Sequence, residues 1–211
     1  MSIASIRRDY QLKSLSEQEV LSDPIQQFTI WWQEALNAEI DEVNAMTLST
    51  AKADGRPSAR IVLLKGYDEA GFVFFTNYDS HKGQELINKP FASLLFFWKE
   101  LERQVRIEGI CEKITPAESD AYFYSRPLGS RLGAWASPQS QVIPNRELLE
   151  KQAEELMIKY SDGVVPRPPH WGGFRVVPDS IELWQGRSNR LHDRVLYTKG
   201  SSNWDIARLA P

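Results

Sequence analysis

The chain has one cysteine, Cys111, so no internal disulfide can staple it. Its three histidines, His81, His170 and His192, are scattered, and no spacing suits a metal site. There is no Gly-x-Ser-x-Gly elbow, no phosphate loop ending in Gly-Lys-Ser/Thr, and no Gly-x-Gly-x-x-Gly turn after a strand, so any redox cofactor is not held on a Rossmann turn. A basic excess is also missing: the formal net charge is −3, which argues against a general nucleic-acid binder. The longest apolar runs, such as Ser93 to Trp98, fall far short of the roughly 20 residues that cross a bilayer. Met1 to Tyr10 is polar and basic with no apolar signal core, and a cytoplasmic location is expected.

What is present is enough for a core. With 211 residues and 42% hydrophobic content, the chain is expected to form a single domain over residues 23–211. Residues 1–22 are polar and charged and read as a mobile N-terminal arm. Asp23-Pro24 opens a helix whose stripe is Ile25, Phe28, Trp32 and Ala35. From Ala45 the period changes to two, predicting strands at Ala45 to Thr50, Ser58 to Tyr67 and Phe72 to Thr76, then Ala92 to Trp98 and Glu102 to Ile114, with a short helix around Lys82 to Asn88 between. Thr115-Pro116-Ala117-Glu118 is a capping box starting a helix that Pro127 stops near Arg126. A helix from about Arg146 to Tyr160 presents Leu149, Ala153, Leu156 and Tyr160 as core contacts. The last strands are predicted at Gly173 to Val177, Ile181 to Gln185, Arg190 to Tyr197 and Trp204 to Leu209. Antiparallel strands with inserted and flanking helices indicate an α+β fold, most simply a barrel.

Several clusters can carry chemistry. Arg190, His192 and Arg194 follow at two-residue spacing, which on a strand puts three cationic or potentially cationic groups on one face. Crowded like charges call for an anion or an electron-rich ring opposite, although an isolated pattern of this kind also fits a solvated face with Asp193 as partner. Arg60 and Lys65 bracket an apolar run at a five-residue offset, facing two ligands, two parts of one bulged site, or solvent. Thr76, Ser80, His81 and Lys82 lie where a strand meets a helix start, a place that holds phosphate. Tyr122, Arg126 and Ser130 recur every four residues and would offer a phosphate monoester a phenol, a guanidinium and a hydroxyl, with Ser130 expected beyond the helix end. Gln104, Gln139 and Ser140 suit a heterocycle's polar edge, and Trp184 either stacks on a ring or fills the core.

Arg60-Ile-Val-Leu-Leu-Lys65, Leu101-Glu-Arg-Gln-Val105, Ser125-Arg-Pro127, Gly133-Ala-Trp135, Gln139-Ser140, Trp171-Gly-Gly-Phe-Arg175 and Trp184-Gln-Gly186 followed by Arg190-Leu-His-Asp-Arg194 come in an order that resembles the pyridoxine/pyridoxamine 5′-phosphate oxidase family, from Arg7 to Pro211. The resemblance implies an FMN-binding split β-barrel, a homodimer with two interface active sites, and oxidation of phosphorylated B6 vitamers by hydride transfer to the flavin, with O2 consumed and H2O2 released. It implies FMN contacts from Arg60, Ile61, Val62, Leu63, Leu64, Lys65, Phe75, Thr76, His81, Lys82, Gln104, Gln139, Ser140, Trp184 and Arg194. Substrate phosphate would meet Lys65, Tyr122, Arg126 and Ser130. Arg190 and His192 would act at the reacting end of the ring, with Leu191 between them and Arg7, Arg8, Asp9 and Tyr10 closing as a lid. Two positions depart from the family pattern: Phe75 stands where a tyrosine is usual, and His81 where an arginine is usual. An imidazole lacks the guanidinium fork and is only partly charged near neutral pH, so the His81 change bears on phosphate binding.

Overall fold

The computed structural model describes residues 2–6 and 8–211, so Arg7 of the expected lid lies outside the described residues. The strands are β1 (Ala45–Ala51), β2 (Pro57–Leu63), β3 (Gly66–Asp68), β4 (Gly71–Asn77), β5 (Phe91–Trp98), β6 (Arg103–Lys113), β7 (Trp171–Gln185), β8 (Asp193–Lys199) and β9 (Trp204–Leu209). The helices are α1 (Pro24–Asn37), α2 (His81–Asn88), α3 (Pro116–Ser125), α4 (Leu128–Ala136) and α5 (Glu147–Lys159). No helix among the described residues is long and apolar enough to cross a membrane.

All pairings are antiparallel, and the main path through the sheet runs β2-β1-β5-β6-β7-β4-β3. Its two ends, β2 and β3, are joined by Leu64 and Lys65 alone. Seven strands spaced about 5 Å apart would put the edges of a flat sheet about 30 Å from each other. The span from Leu63 to Gly66 reaches at most about 11 Å. The sheet must therefore curl until its edges meet, a curled antiparallel sheet in keeping with the barrel expected from the strand pattern. Backbone bonds seal the join: the N–H of Lys65 donates to Val73 at 2.9 Å and that of Leu64 to Asn44 at 2.8 Å.

Inside the curl, alternate residues of β1, β5 and β6 are buried, as period-two patterning requires. Phe28 of α1 plugs the barrel, with its ring centroid 4.9 Å from Tyr67, 5.0 Å from Phe72 and 5.5 Å from Phe96. Asp23 caps that helix by accepting from the Ile25 and Gln26 amides. A second, smaller core of Phe123, Leu132, Val165 and Trp171 packs α3 and α4 against the start of β7.

The structure corrects several sequence readings. The expected strand from Ser58 to Tyr67 breaks at Leu64-Lys65, because the chain there passes from one sheet edge to the other. The two strands foreseen over 173–185 are one long β7, kinked where Asp179 is the extra residue opposite β6 between Glu108 and Gly109. Pro127 ends α3 but immediately starts α4, so Ser130 lies inside a helix and not beyond one. No residue of α5 is buried: Leu156 and Tyr160 only lean on the second core. Strand β8 begins at Asp193, so of the three only Arg194 lies on it, and Arg190, His192 and Arg194 do not share a strand face. Arg190 sits instead in a short 3-10 turn, Ser188–Arg190, with φ of +62°.

Residues 8–22 lie against the domain. The buried Glu102 carboxylate accepts from the Gln11 and Leu12 amides at 2.9 and 3.1 Å, Asp193 accepts from the Leu15 amide at 3.1 Å, and the Tyr197 hydroxyl donates to Leu21 at 2.8 Å.

The β7 kink depends on a missing side chain opposite it. A Cβ on Gly109 would stand 2.0 Å from the Val177 carbonyl oxygen, and backbone cannot yield as a side chain does. Gly109→Ala is expected to destabilise the fold by about 1–3 kcal/mol in denaturant titrations. Gly129→Ala, with open space at its Cβ, is expected to be neutral or to stabilise α4 by up to about 1 kcal/mol. Equal effects would refute the role given to Gly109.

Candidate functional site

The Leu64-Lys65 link that closes the barrel also delivers Lys65 to a cavity of about 550 Å³. Ile61, Val62 and Leu63 form one wall, Phe75 and Thr76 of β4 a second, and Tyr122, Arg126, Pro127 and Ser130 the α3–α4 corner; Lys82, Gln139 and Trp171 complete it. The Phe75 ring stacks on Tyr122 at 4.0 Å and on Trp171 at 5.3 Å, which fixes the tyrosine at the cavity edge.

The charges are unbalanced. Lys65, Lys82 and Arg126 line the cavity, and among the described residues no carboxylate does. Lys82 Nζ donates to the side-chain oxygens of Gln139 at 2.9 Å and Thr76 at 3.3 Å, both neutral. Burial, assisted by the charge of Arg60, pulls the Lys82 pKa below its ordinary value against an opposing pull from Glu85. The Arg126 guanidinium lies 4.6 Å over Trp171, its Nη1 is buried without a hydrogen-bond partner, and burial lowers its pKa too. A buried donor left unpaired costs about 1–3 kcal/mol, a cost that an acceptor entering the cavity would offset. The opening turn of α4 adds backbone dipole of the same sign at Ser130.

Other residues implied by the resemblance fall elsewhere in the single chain. Arg60 is already neutralised, its guanidinium 3.1 Å from Glu85 and bonded to Thr50 and Ser58. Leu64 points into the core, while His81 and Ser140 are exposed and do not line the cavity. Gln104, Trp184 and Arg194 stand abreast on β6, β7 and β8 as direct cross-strand neighbours. None of the three reaches the cavity just described. Arg194 is gripped by Glu182 at 2.7 and 3.0 Å, which raises its pKa.

Beside this row lies a second cavity of about 580 Å³, lined by Ile6, Arg8, Asp9, Tyr10, Arg187, Asn189, Arg190 and His192. The His192 ring packs 4.5 Å from Trp184, and Tyr10 meets Trp184 edge-on at 5.8 Å. Tyr10 comes this close because residue 186 is glycine: a Cβ there would stand 2.7 Å from the tyrosine ring. Asn189 and Arg190 both have positive φ, a strained pair of the kind that concentrates at binding sites. Leu191 is 68% exposed and lies outside the lining. Five lining residues escaped the sequence reading: Ile6, Pro127, Trp171, Arg187 and Asn189. Arg187 and Asn189 flank the same cationic motif and could have been found by asking which neighbours share its turn.

Residues 32–160 match the family model described as pyridoxamine 5′-phosphate oxidase, and residues 171–211 match the pyridoxine 5′-phosphate oxidase C-terminal dimerisation region. The chain is 58% identical to a pyridoxine/pyridoxamine 5′-phosphate oxidase of Trichormus variabilis over 100% of this chain and 99% of the relative. It is 59% identical to one from Paraburkholderia phymatum with the same coverage. Among solved structures, PhzG from Burkholderia lata, in complex with tetrahydrophenazine-1-carboxylic acid, superposes with TM-score 0.89 at 32% identity, covering 97% of this chain and 100% of that one. A pyridoxamine 5′-phosphate oxidase-related, FMN-binding protein of Nostoc punctiforme shares the fold at TM-score 0.68 and 19% identity, covering 85% of this chain and 94% of that one.

The half-buried ammonium of Lys82 makes a prediction with a definite sign. Because its pKa is lowered in the fold, its charge opposes folding throughout neutral pH, and that opposition fades only as pH rises through the lowered value. A bound anion offsets the same cost. Inorganic phosphate is therefore expected to raise the melting temperature of the desalted protein. Lys82→Met is expected to melt higher than wild type without phosphate and to gain less from it. An equal phosphate effect in both proteins would remove Lys82 from the anion site.

Proposed function

The chain belongs to the pyridoxamine 5′-phosphate oxidase family, and we propose that it uses FMN to oxidise pyridoxamine 5′-phosphate and pyridoxine 5′-phosphate to pyridoxal 5′-phosphate, with O2 as acceptor and H2O2 as product. The alcohol loses two hydrogens directly; the amine loses two to give an imine, which water hydrolyses with release of ammonia. The observation that carries the reading is the unpartnered, buried Arg126 Nη1 in a cavity with three cations and no acid.

The donor set fits two phosphates rather than one. Lys82, with Gln139 and Thr76 around it, forms one cationic end, suited to the FMN phosphate. Arg126, Lys65, Tyr122 and Ser130 form the other, suited to the substrate phosphate. Ile61, Val62 and Leu63 offer an apolar edge to the flavin ring system between them. FMN supplies the two-electron acceptance from a carbon–hydrogen bond that no side chain here can provide. The chain's own task is orientation: the Arg126 end anchors the substrate at its phosphate, so the far end of the ring is held in one place.

The groups for that far end, Arg190 and His192, line the other cavity of the same chain. The matched dimerisation region spans both of them along with Trp184 and Arg194. We read the active site as shared: the phosphate cavity of one protomer is completed by the Gln104–Trp184–Arg194 row and the Arg190–His192 turn of the other. The Arg8–Tyr10 segment, which lines the second cavity, then covers the substrate.

A second reading is oxidation of a reduced nitrogen tricycle bearing a carboxylate, suggested by the ligand in the PhzG structure. It needs no phosphate, and the Arg126 cluster favours the phosphorylated vitamers over it. The test is a visible spectrum of the purified protein, followed by peroxide assays with each phosphorylated vitamer and an unphosphorylated control. Yellow protein and phosphate-dependent peroxide are expected; a colourless preparation that ignores added FMN, or equal rates with both substrates, would end the proposal. Arg126→Ala is expected to raise KM about 10- to 100-fold, the effect of losing roughly 1.5–3 kcal/mol of charged hydrogen bonding. Arg190→Ala should lower kcat while retaining flavin, and Lys82→Ala should shed flavin; equal flavin loss would dissolve this division.

A further inference from the structure

The backbone N–H of Arg187 lies 3.1 Å from His192 Nδ1. An amide N–H can only donate, so Nδ1 must present its lone pair, and the one proton of the neutral ring resides on Nε2. We propose that His192 is a fixed Nε2–H hydrogen-bond donor and not the group that takes the substrate's proton, and that Arg187 and Asp193 are positioning residues that keep it so.

The stronger influences of the surroundings agree with this assignment. Protonating Nδ1 would set N–H against N–H and cost the Arg187 bond. Burial and the Arg190 charge both push the imidazole pKa down; Asp193 pulls the other way. That carboxylate is committed elsewhere, accepting from the Leu15 amide, from Arg187 at 2.8 Å and from Arg208 at 2.9 Å. The arm brings Arg8, Asp9 and Tyr10 to the same cavity, and Tyr10 and Trp184 meet the imidazole with their rings. Among the described residues Nε2 has no hydrogen-bond partner, which leaves its proton free for an acceptor atom on the bound aromatic ring. Asp193 sets the arrangement by holding Arg187 from the side-chain end while the Arg187 main chain holds the histidine.

The catalytic consequence rests on the proposed vitamer oxidation, but the tautomer does not, and the two can fail separately. In protein labelled with 15N-histidine, long-range proton–nitrogen correlation spectra assign His192 by its disappearance in His192→Gln. The expected pattern is an unprotonated Nδ1 and a protonated Nε2, unchanged through pH about 6.5, where an ordinary imidazole half-titrates. An Nδ1–H pattern, an averaged pattern or an imidazolium at neutral pH would overturn the inference. Asp193→Asn should turn the single pattern into an averaged one and lower kcat, with little change in the KM set at the other end of the substrate; an unchanged pattern would remove Asp193 from the device. For function, His192→Gln, whose amide N–H reaches the Nε2 position, should retain at least 10-fold more kcat than His192→Asn, whose amide reaches only Nδ1. Equal loss in the two would refute the donor role. The correct tautomer in a protein that oxidises no vitamer would uphold the assignment and sink the proposed reaction instead.

Discussion

The two-residue link Leu64-Lys65 is the constraint on which both the barrel and the cavity depend. Its shortness forces the first and last strands of the sheet path together, and its position puts a lysine at the point of closure. Asn44 holds the link from one side, its carbonyl accepting from the Leu64 N–H and its amide donating to the Leu64 carbonyl at 3.1 Å; Val73 holds it from the other. Leu64 turns into the core while Lys65 turns out to the cavity, so one dipeptide serves packing and binding at once. Because the same backbone closes the sheet, the Lys65 main chain at the cavity wall is fixed by the barrel itself.

The cations around the two cavities divide by whether the fold has already neutralised them. Arg60 is met by Glu85, Arg194 by Glu182, and Arg187 and Arg208 by Asp193. These pairs shape the protein, and a ligand reaching them would have to share a charge already engaged. Lys65, Lys82 and Arg126 have no such partner among the described residues, and burial works against the charge of the last two. The fold bears that cost where a phosphate can relieve it. The distinction refines the cofactor set implied by family resemblance, since residues that belong to one motif do different electrostatic work.

Much of this was legible in the sequence, and the gaps have physical causes. Period-two burial in β1, β5 and β6 and the Thr115 capping box could be read directly, because strand pleat and helix cap are local rules. Helix α4 was hidden because Pro127 is read as a stop, yet proline also suits a helix start, and only the second core decides between these roles. The strand face drawn through Arg190, His192 and Arg194 failed because two residues with positive φ interrupt the extended chain, which spacing alone does not reveal. Lys65 and Arg126 could be suspected individually. Their convergence could not be read, since it depends on a sheet closing across 60 residues of intervening chain.

That convergence stops halfway within one chain. The cavity of Lys65, Lys82 and Arg126 has cations without acidic partners and an apolar wall but neither His192 nor Arg190; the second cavity has those two, and its Arg8 and Arg187 are already paired with Glu102 and Asp193. Neither half alone can fix both ends of a small aromatic phosphate, and a substrate held at one end still swings about that anchor. The C-terminal segment carries the row of Trp184 and Arg194, the Arg190–His192 turn and the matched dimerisation region together, so in the shared site proposed above the surface that recognises a second subunit would also bring the missing groups. Association would then do more than stabilise the fold. Under that proposal it would turn two partial sites into sites that grip both ends, and because a two-fold pairing treats both chains alike, it would complete two at once.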